Sequence, residues 1–386
     1  MHRFDQITLA ELQQKPCAKW RYFDPDVIAL WVADMDFPPA PEIVEALRER
    51  AASDNLGYPM ATGEPGLLEA ILERMAARHG WKLRAEELWL INGVIPSLYL
   101  AVLACSSAGD EVIIQTPIYP PFISAVKDTD RVPRYNPLVV ENGQYRIDFA
   151  QLEALITPAT RLLLLCHPHN PTGRVFRRDE LEQLADFVLR HNLWVVSDEL
   201  HSDLLYPGER HLPLASLHPE IAQRTITVFG PTKAFNIAGL KIGIVVSQNA
   251  ALLTRLKRQG RGLVTGPNVM AQVATLAAYR HAQPWLEMTL RYLDGNRRFL
   301  GDYLPKHLPH VGYLPPQATY LAWLDFRALG LGDRLYQALL DCRVGLNDGP
   351  QYGPGFEGFA RLNFATPRHI LEEAVARLER GLTPLD

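Results

Sequence analysis

Apolar residues recur along this chain in two rhythms. Ile43, Val44 and Leu47 fall on one face at helical spacing within 41–52, and Leu67, Leu68, Ile71, Leu72 and Met75 do so within 66–79. Pro41 suits a first helical turn, where its missing N–H is not needed, and Gly80 suits the position just past a helix end. Between them GYPMATGEPG (57–66) is too rich in Gly and Pro to be helical. The middle of the chain changes rhythm. EVIIQTP (111–117), RLLLLCHP (161–168), LWVVSDE (193–199), TITVFG (225–230) and IGIVVS (242–247) are short, continuous apolar runs, with a helical pattern over 179–191 between two of them. Unbroken Val, Ile and Leu without alternation describes strands buried on both faces, and so predicts a mainly parallel sheet with helices on each side.

Beyond Pro284 a long helical pattern runs to His307, with Trp285, Met288, Tyr292 and Leu300 among its apolar positions. Strand-like 319–326, helix-like 332–342, strand-like 358–365 and a helical 367–381 follow, which together predict a smaller α+β unit. The first forty residues have no sheet partner of their own and are expected to pack with it. The expected organisation is an N-terminal segment (1–45) joined to the small domain, a large domain (46–283) and a small C-terminal domain (284–386). A length of 386 residues agrees with two domains, too long for one ordinary core and short for three.

Composition narrows the function. At 47% hydrophobic and 21% charged, with a mean hydropathy of −0.08, the chain reads as a soluble globular protein. A net charge of −4 supplies no field for nucleic acid or an anionic membrane, so neither is an expected partner. The longest unbroken apolar stretch, Leu98 to Cys105, is far short of a membrane span, and Met1 to Leu12 lacks the apolar core of a secretory signal. Cys17, Cys105, Cys166 and Cys342 lie far apart with no CxxC pair, which predicts reduced thiols, no metal and a cytoplasmic location.

Candidate chemistry lies where polar residues interrupt apolar runs, because ligands in open α/β sheets collect beyond the carboxyl ends of the strands. Asp198 follows one run directly; a carboxylate there caps a helix or pairs with a cation as readily as it serves chemistry. His167 and His169 end another, but one intervening residue and no nearby carboxylate favour a loop over a metal site. Asn170, in His-Asn-Pro, offers an amide held between constrained positions. Lys233, in VFGPTKAFNIAG, sits in a small-residue, apolar setting that lowers an amine's pKa toward what Schiff-base chemistry needs. INGVIPSLYLAV (91–102) reads as strand, glycine turn and helix, and points the N–H groups of Gly93, Val94 and Ile95 at an anion such as a phosphate. A lysine, an aspartate, an asparagine amide and a phosphate-binding helix start are what a pyridine aldehyde phosphate needs. No G-x-G-x-x-G follows any expected strand, which disfavours a nucleotide-binding dehydrogenase.

WVADMDFP (31–38), GYPMATGEPGL (57–67), GVIPSL (93–98), TPIYPPF (116–122), HPHNPTGRVF (167–176), SDELHSDL (197–204), TKAFNIAGLKIG (232–243) and GFARLNFATPR (358–368) carry a resemblance that runs nearly end to end. The chain resembles the fold-type I pyridoxal 5′-phosphate (PLP) enzymes of the class I/II aminotransferase superfamily, with an α/β, aspartate-aminotransferase-like fold. Within it, VADMDF, YPPF and DELH resemble the MalY/PatB-type C–S lyases, or cystathionine β-lyases. The resemblance implies that Lys233 bonds to the cofactor and later takes the Cα proton, with Asp198 at the pyridine nitrogen. It implies Asn170 at the phenolic oxygen, His201 nearby where many aminotransferases have tyrosine, and Tyr119 stacked on the ring. Thr232 and Lys241 join the Gly93–Val94–Ile95 turn as phosphate ligands. Arg361 clamps the α-carboxylate of an amino-acid substrate, Ala33 and Asp34 line the substrate side, and Tyr58 reaches the phosphate of a neighbouring subunit in a homodimer with shared sites. Lys241 stands where arginine is common, Gly230 where serine is common, and Gln317-Ala318-Thr319-Tyr320 replaces a Gly-Gly-Thr turn. The implied activity is α,β-elimination from L-cysteine S-conjugates such as cystathionine, giving a thiol, pyruvate and ammonia. An aminotransferase using the same residues is the alternative, and a binding or regulatory role on the same scaffold is a third.

Overall fold

In the computed structural model, residues 3–60 and 62–382 are described; Met1, His2, Ala61 of the expected 57–66 loop, and 383–386 lie outside them. A seven-stranded sheet runs in the order Leu88–Ile91, Gly243–Val246, Thr225–Phe229, Trp194–Asp198, Thr160–Cys166, Glu111–Thr116, Val132–Pro137. Gly243–Val246 is antiparallel to both its neighbours and every other pairing is parallel. Each of the five unbroken apolar runs is a strand here, and their alternate residues feed separate apolar clusters. Val112, Ile114, Leu164 and Val196 pack beneath helices Val94–Cys105 and Ala250–Gln259, while Ile113, Leu163 and Val195 pack against helix Arg178–Arg190. Both faces are covered, which is why the runs show no alternation.

Sequence patterning misses some elements. Val132–Pro137 (VPRYNP) is polar and carries two prolines, yet it pairs in parallel with Glu111–Thr116. It is an edge strand, where a missing backbone donor does little harm. Helix Val269–His281 is nearly featureless in hydrophobicity because alanines at 271, 274, 277 and 278 are buried along it. Its start is set by Asn268, whose Oδ1 accepts the Ala271 N–H at 2.9 Å. The helix expected over 332–342 is a 3₁₀ turn, Gly332–Arg334, followed by a shorter α-helix, Leu335–Asp341.

A second, four-stranded antiparallel sheet has the order Gly312–Tyr313, Leu321–Asp325, Phe359–Asn363, Asn347–Asp348. Helices Gln283–His307 and Arg368–Gly381 bury Leu293, Leu300 and Leu371 in one apolar cluster with Leu324 and Leu362 of that sheet. Phe4, Leu12, Trp20 and Ile28 belong to the same cluster, and Ile28–Ala29 pairs in parallel with Val344–Gly345.

From Leu30 to Phe37 the chain leaves regular structure but stays mostly buried, so its peptide groups need partners other than a ladder. Asn363 Nδ2 donates to the carbonyls of Val32 (2.7 Å) and Asp34 (2.8 Å). Asn236 Nδ2 donates to those of Met35 (3.0 Å) and Phe37 (2.7 Å), and its Oδ1 accepts the Met35 N–H at 3.0 Å. A buried ion pair holds the flank: Lys19 Nζ lies 2.9 Å from Asp36 Oδ2, and Trp20 Nε1 donates to Asp36 Oδ1 at 2.7 Å. Asp36→Ala leaves a buried ammonium without its counter-ion and an indole N–H without its acceptor, and should destabilise the chain by about 3–5 kcal/mol. The double change Lys19→Met/Asp36→Leu, which removes both charges, should be markedly milder, as read from urea unfolding followed by circular dichroism.

Candidate active site

Four elements bring the chemistry to one place. Asp198 is the last residue of its strand, opposite Cys166 of the next, and its Oδ1 accepts the Leu200 N–H at 3.0 Å. Desolvation raises its carboxyl pKa; the Leu200 N–H opposes this, Glu199 adds to it and Lys233 opposes it, leaving the group at about 7. Lys233 lies in the turn after Thr225–Phe229, and its Nζ donates to the carbonyl of Ala33 at 2.7 Å. Desolvation lowers its amine to about 8, against the pull of Asp34, with help from Arg361, and against Asp198. Asn170 follows strand Thr160–Cys166, in a loop whose His167–Pro168 and Asn170–Pro171 peptides are cis.

Arg361 comes from the other sheet, at the middle of Phe359–Asn363. Its Nη1 donates to Asn170 Oδ1 (3.0 Å), and its Nη2 to Trp31 O (2.9 Å) and Asn347 Oδ1 (2.6 Å). The guanidinium carbon lies 5.3 Å from the Tyr352 ring centre, and Nε is buried with no partner. Asn170 therefore commits its oxygen to Arg361 and turns its amide nitrogen to the cavity. His201 is buried with Nδ1 unpartnered, and desolvation, Lys233 and Arg361 together hold its imidazole down to about 3, hence neutral.

These side chains line a cavity of about 610 Å³ together with Ala33, Gly93, Val94, Ile95, Tyr119, Thr232 and Lys241. Gly93, with φ of 119°, caps helix Val94–Cys105, and the first N–H groups of that helix have no intrahelical acceptor. Asp34 stands apart from the other expected residues: it is not part of the cavity wall, and its carbonyl is held by Lys19 and Asn363. Tyr58 is fully exposed and lines an adjoining, open cavity of about 1240 Å³ that meets the first at Asn92 and Lys241. His167 and His169 are buried struts of their loop: the His169 ring bonds Thr172 Oγ1 at 2.8 Å and the His167 ring lies tilted against His211, 4.5 Å between centres. Among the described residues no cluster of three His, Cys, Asp or Glu groups is arranged to hold a metal. Sequence reasoning missed Trp31, Tyr320, Asn347 and Tyr352. Tyr320 donates to the same Ala33 carbonyl as Lys233, at 3.0 Å, and it sits in the 317–320 turn already noted as unusual.

A model of the class I and II aminotransferases matches residues 25–378, and the chain belongs to that family. Its fold is the aspartate-aminotransferase-like fold type I, a large, mostly parallel sheet with a smaller antiparallel one beside it. Among its relatives, cystathionine β-lyase PatB of Bacillus subtilis is 39% identical over 365 residues, covering 93% of each chain. Protein MalY of Escherichia coli is 33% identical over 387 residues, covering 97% of this chain and 98% of that one. The crystal structure of cystalysin from Treponema denticola, which contains pyridoxal 5′-phosphate, superposes with a TM-score of 0.92 at 31% identity, covering 99% of both chains.

The carboxyl of Asp198 carries a stability consequence. Its folded pKa of about 7 lies above its ordinary value of 3.8, so the native chain holds a proton there that the unfolded chain releases. That contribution is complete below about pH 4 and is lost as pH rises through 7. In the cofactor-free chain, Asp198→Asn, neutral throughout, should gain stability relative to the parent by a few kcal/mol between pH 4 and pH 7.5. Paired urea titrations of the two chains across that range measure it.

Proposed function

We propose that this chain is a PLP-dependent carbon–sulfur β-lyase that converts L-cysteine S-conjugates such as cystathionine to a thiol, pyruvate and ammonia by α,β-elimination. The observation that carries the reading is the convergence, in one cavity, of a lysine amine lowered to about 8 with Asp198, Asn170 and Arg361. Relatives named cystathionine β-lyase over nearly the full chain support it.

The residues fit the cofactor. A volume of about 610 Å³ suits a small planar ligand with an amino acid beside it. Asp198 offers a carboxylate to the ring nitrogen, and Asn170 and the neutral His201 offer hydrogen bonds to the phenolic oxygen. Tyr119 supplies an aromatic face. The N–H groups of Gly93, Val94 and Ile95, the Thr232 hydroxyl and the Lys241 ammonium receive the phosphate, with charge but no guanidinium fork at 241. When bound, the cofactor supplies an electron-withdrawing ring that accepts the electron pair released at Cα. Arg361, its Nη groups set by Asn170, Asn347 and Trp31, holds the substrate α-carboxylate. Lys233, its amine lowered to about 8 so that the free base is within easy reach, takes the Cα proton. The Cβ–S bond then breaks and the sulfur leaves with its electron pair. Water completes the balance: conjugate and water give thiol, pyruvate and ammonium.

The reading extends to a homodimer with shared sites. Leu56, Tyr58 and Met60, which line the open cavity together, are 59%, 104% and 57% exposed, an apolar patch that calls for a cover. A second copy seated there brings its Tyr58 toward the phosphate end of the cavity. Among the described residues no helix is long and apolar enough to cross a membrane, and the reading assigns the enzyme to the cytoplasm.

Incubating the holoenzyme with L-cystathionine and no 2-oxo acid should release thiol, pyruvate and ammonia in equal amounts. Product that forms only when a 2-oxo acid is added would establish an aminotransferase instead. Tyr58→Ala should weaken retention of the cofactor about tenfold while sedimentation still gives a dimer; unchanged retention would remove Tyr58 from the shared site.

A further inference from the structure

Resting on the lyase reading, we propose that this cavity selects cysteine conjugates whose sulfur carries a neutral aryl group, with Trp31 as the specificity-determining residue. The charges in the cavity are already spoken for. Its cations are Lys233, Lys241 and Arg361, and its acid is Asp198; the lyase reading assigns them to proton transfer, phosphate, α-carboxylate and ring nitrogen. The rest of this chain's share of the wall, Trp31, Ile95, Pro120, Pro121, Gln351 and Tyr352 among it, carries no charge. A substituent ending in a second carboxylate and ammonium, as in cystathionine, would lose water against this wall without gaining a charged partner. A neutral ring loses little water and gains aromatic and proline surface.

Trp31 is built to present such a surface. Its indole N–H donates to the Lys19 carbonyl at 3.1 Å, and Lys19 is itself locked to Asp36 at 2.9 Å. Tyr22 braces the indole at 4.5 Å between ring centres. The carbonyl of the same residue accepts Arg361 Nη2 at 2.9 Å, so the ring is held at a set distance from the group that takes the α-carboxylate. The Tyr352 ring flanks that guanidinium, its centre 5.3 Å from the guanidinium carbon. A substrate anchored at Arg361 with its Cα–H toward Lys233 leaves its sulfur substituent the stretch of wall between these two aromatic residues.

The leaving group agrees with this choice. Along the stretch between Trp31 and Tyr352 the ionisable group is the Tyr352 phenol, which burial pushes up to about 12 and makes a poor proton donor. An aryl thiolate spreads its charge into its own ring and departs without a proton; an alkyl thiolate depends more on one. Elimination balances as before, with Lys233 taking the Cα proton, Cβ–S breaking, and aryl thiol, pyruvate and ammonium released after addition of water.

The test compares S-phenyl-L-cysteine, S-methyl-L-cysteine and L-cystathionine on the holoenzyme by pyruvate release. The phenyl conjugate should have the highest kcat/KM, by about tenfold or more. Trp31→Ala should lower the phenyl-to-methyl ratio about tenfold, chiefly by raising KM for the phenyl conjugate, and Trp31→Phe should keep the ratio within about threefold. Calorimetry with L-homophenylalanine, whose methylene replaces the sulfur and cannot be eliminated, separates binding from leaving-group chemistry. It should bind about tenfold tighter than L-norvaline, and Trp31→Ala should erase the difference. Cystathionine equal to or better than the phenyl conjugate, or a Trp31→Ala defect of the same size on all three, overturns the selectivity. No pyruvate from any of the three overturns the lyase reading itself, and the selectivity with it.

Discussion

A half-buried lysine amine and a buried aspartate carboxyl meet in one cavity at the carboxyl end of a mostly parallel sheet, and neither neutralises the other by direct contact. Lys233 donates to a backbone carbonyl and Asp198 accepts from a backbone N–H. Desolvation, the leading influence on both, draws the amine down to about 8 and the carboxyl up to about 7. Two groups whose ordinary values are 10.5 and 3.8 thus come to titrate near pH 8 and pH 7, where each can gain or lose a proton readily. That condition depends on walls that exclude water, and the large sheet supplies only one side of them.

The other side is the irregular segment from Leu30 to Phe37, clamped across the sheet end. Its carbonyls are taken by two asparagine side chains, a buried tyrosine, the lysine itself and Arg361. The chain is therefore closed over the cavity by side-chain amides doing the work of a missing ladder. The Lys19–Asp36 pair anchors this segment, and Lys19 also fixes the indole of Trp31. Buried ion pairs add little net stability compared with apolar packing; what this one secures is the position of the segment. Arg361 ties the two sheets together, because its partner Asn170 lies in the loop that follows strand Thr160–Cys166 of the large sheet and Asn347 lies in the small one.

Patterning was legible where burial is uniform. Strands covered on both faces appear as unbroken apolar runs, and the long helices appear as stripes. It failed for Val132–Pro137, whose place at the sheet edge lifts the requirement for apolar, proline-free sequence. It failed again for Val269–His281, where close packing demands alanine and so erases the stripe. Among site residues, each was ambiguous alone: Asp198 reads as a cap, Asn170 as a loop residue, Lys233 as a solvated amine. The family motifs, and not local spacing, drew them together.

The sequence by itself determined the mainly parallel sheet and the strand ends that carry Asp198, Asn170 and Lys233, because burial of backbone and side chain leaves a local imprint on residue choice. It also held the family's motifs nearly end to end. Only the tertiary structure decided that Ala33 and Tyr320 meet Lys233, that Asn347 and Trp31 orient Arg361, and that Asp34 acts on the lysine from outside the cavity wall. Apart from Asn347, which faces Arg361 across a strand pair 14 positions away, these contacts join residues 200 to 330 positions apart, across irregular backbone with no periodicity. They arise from pairing buried polar groups in space, a requirement that leaves no rhythm along the chain.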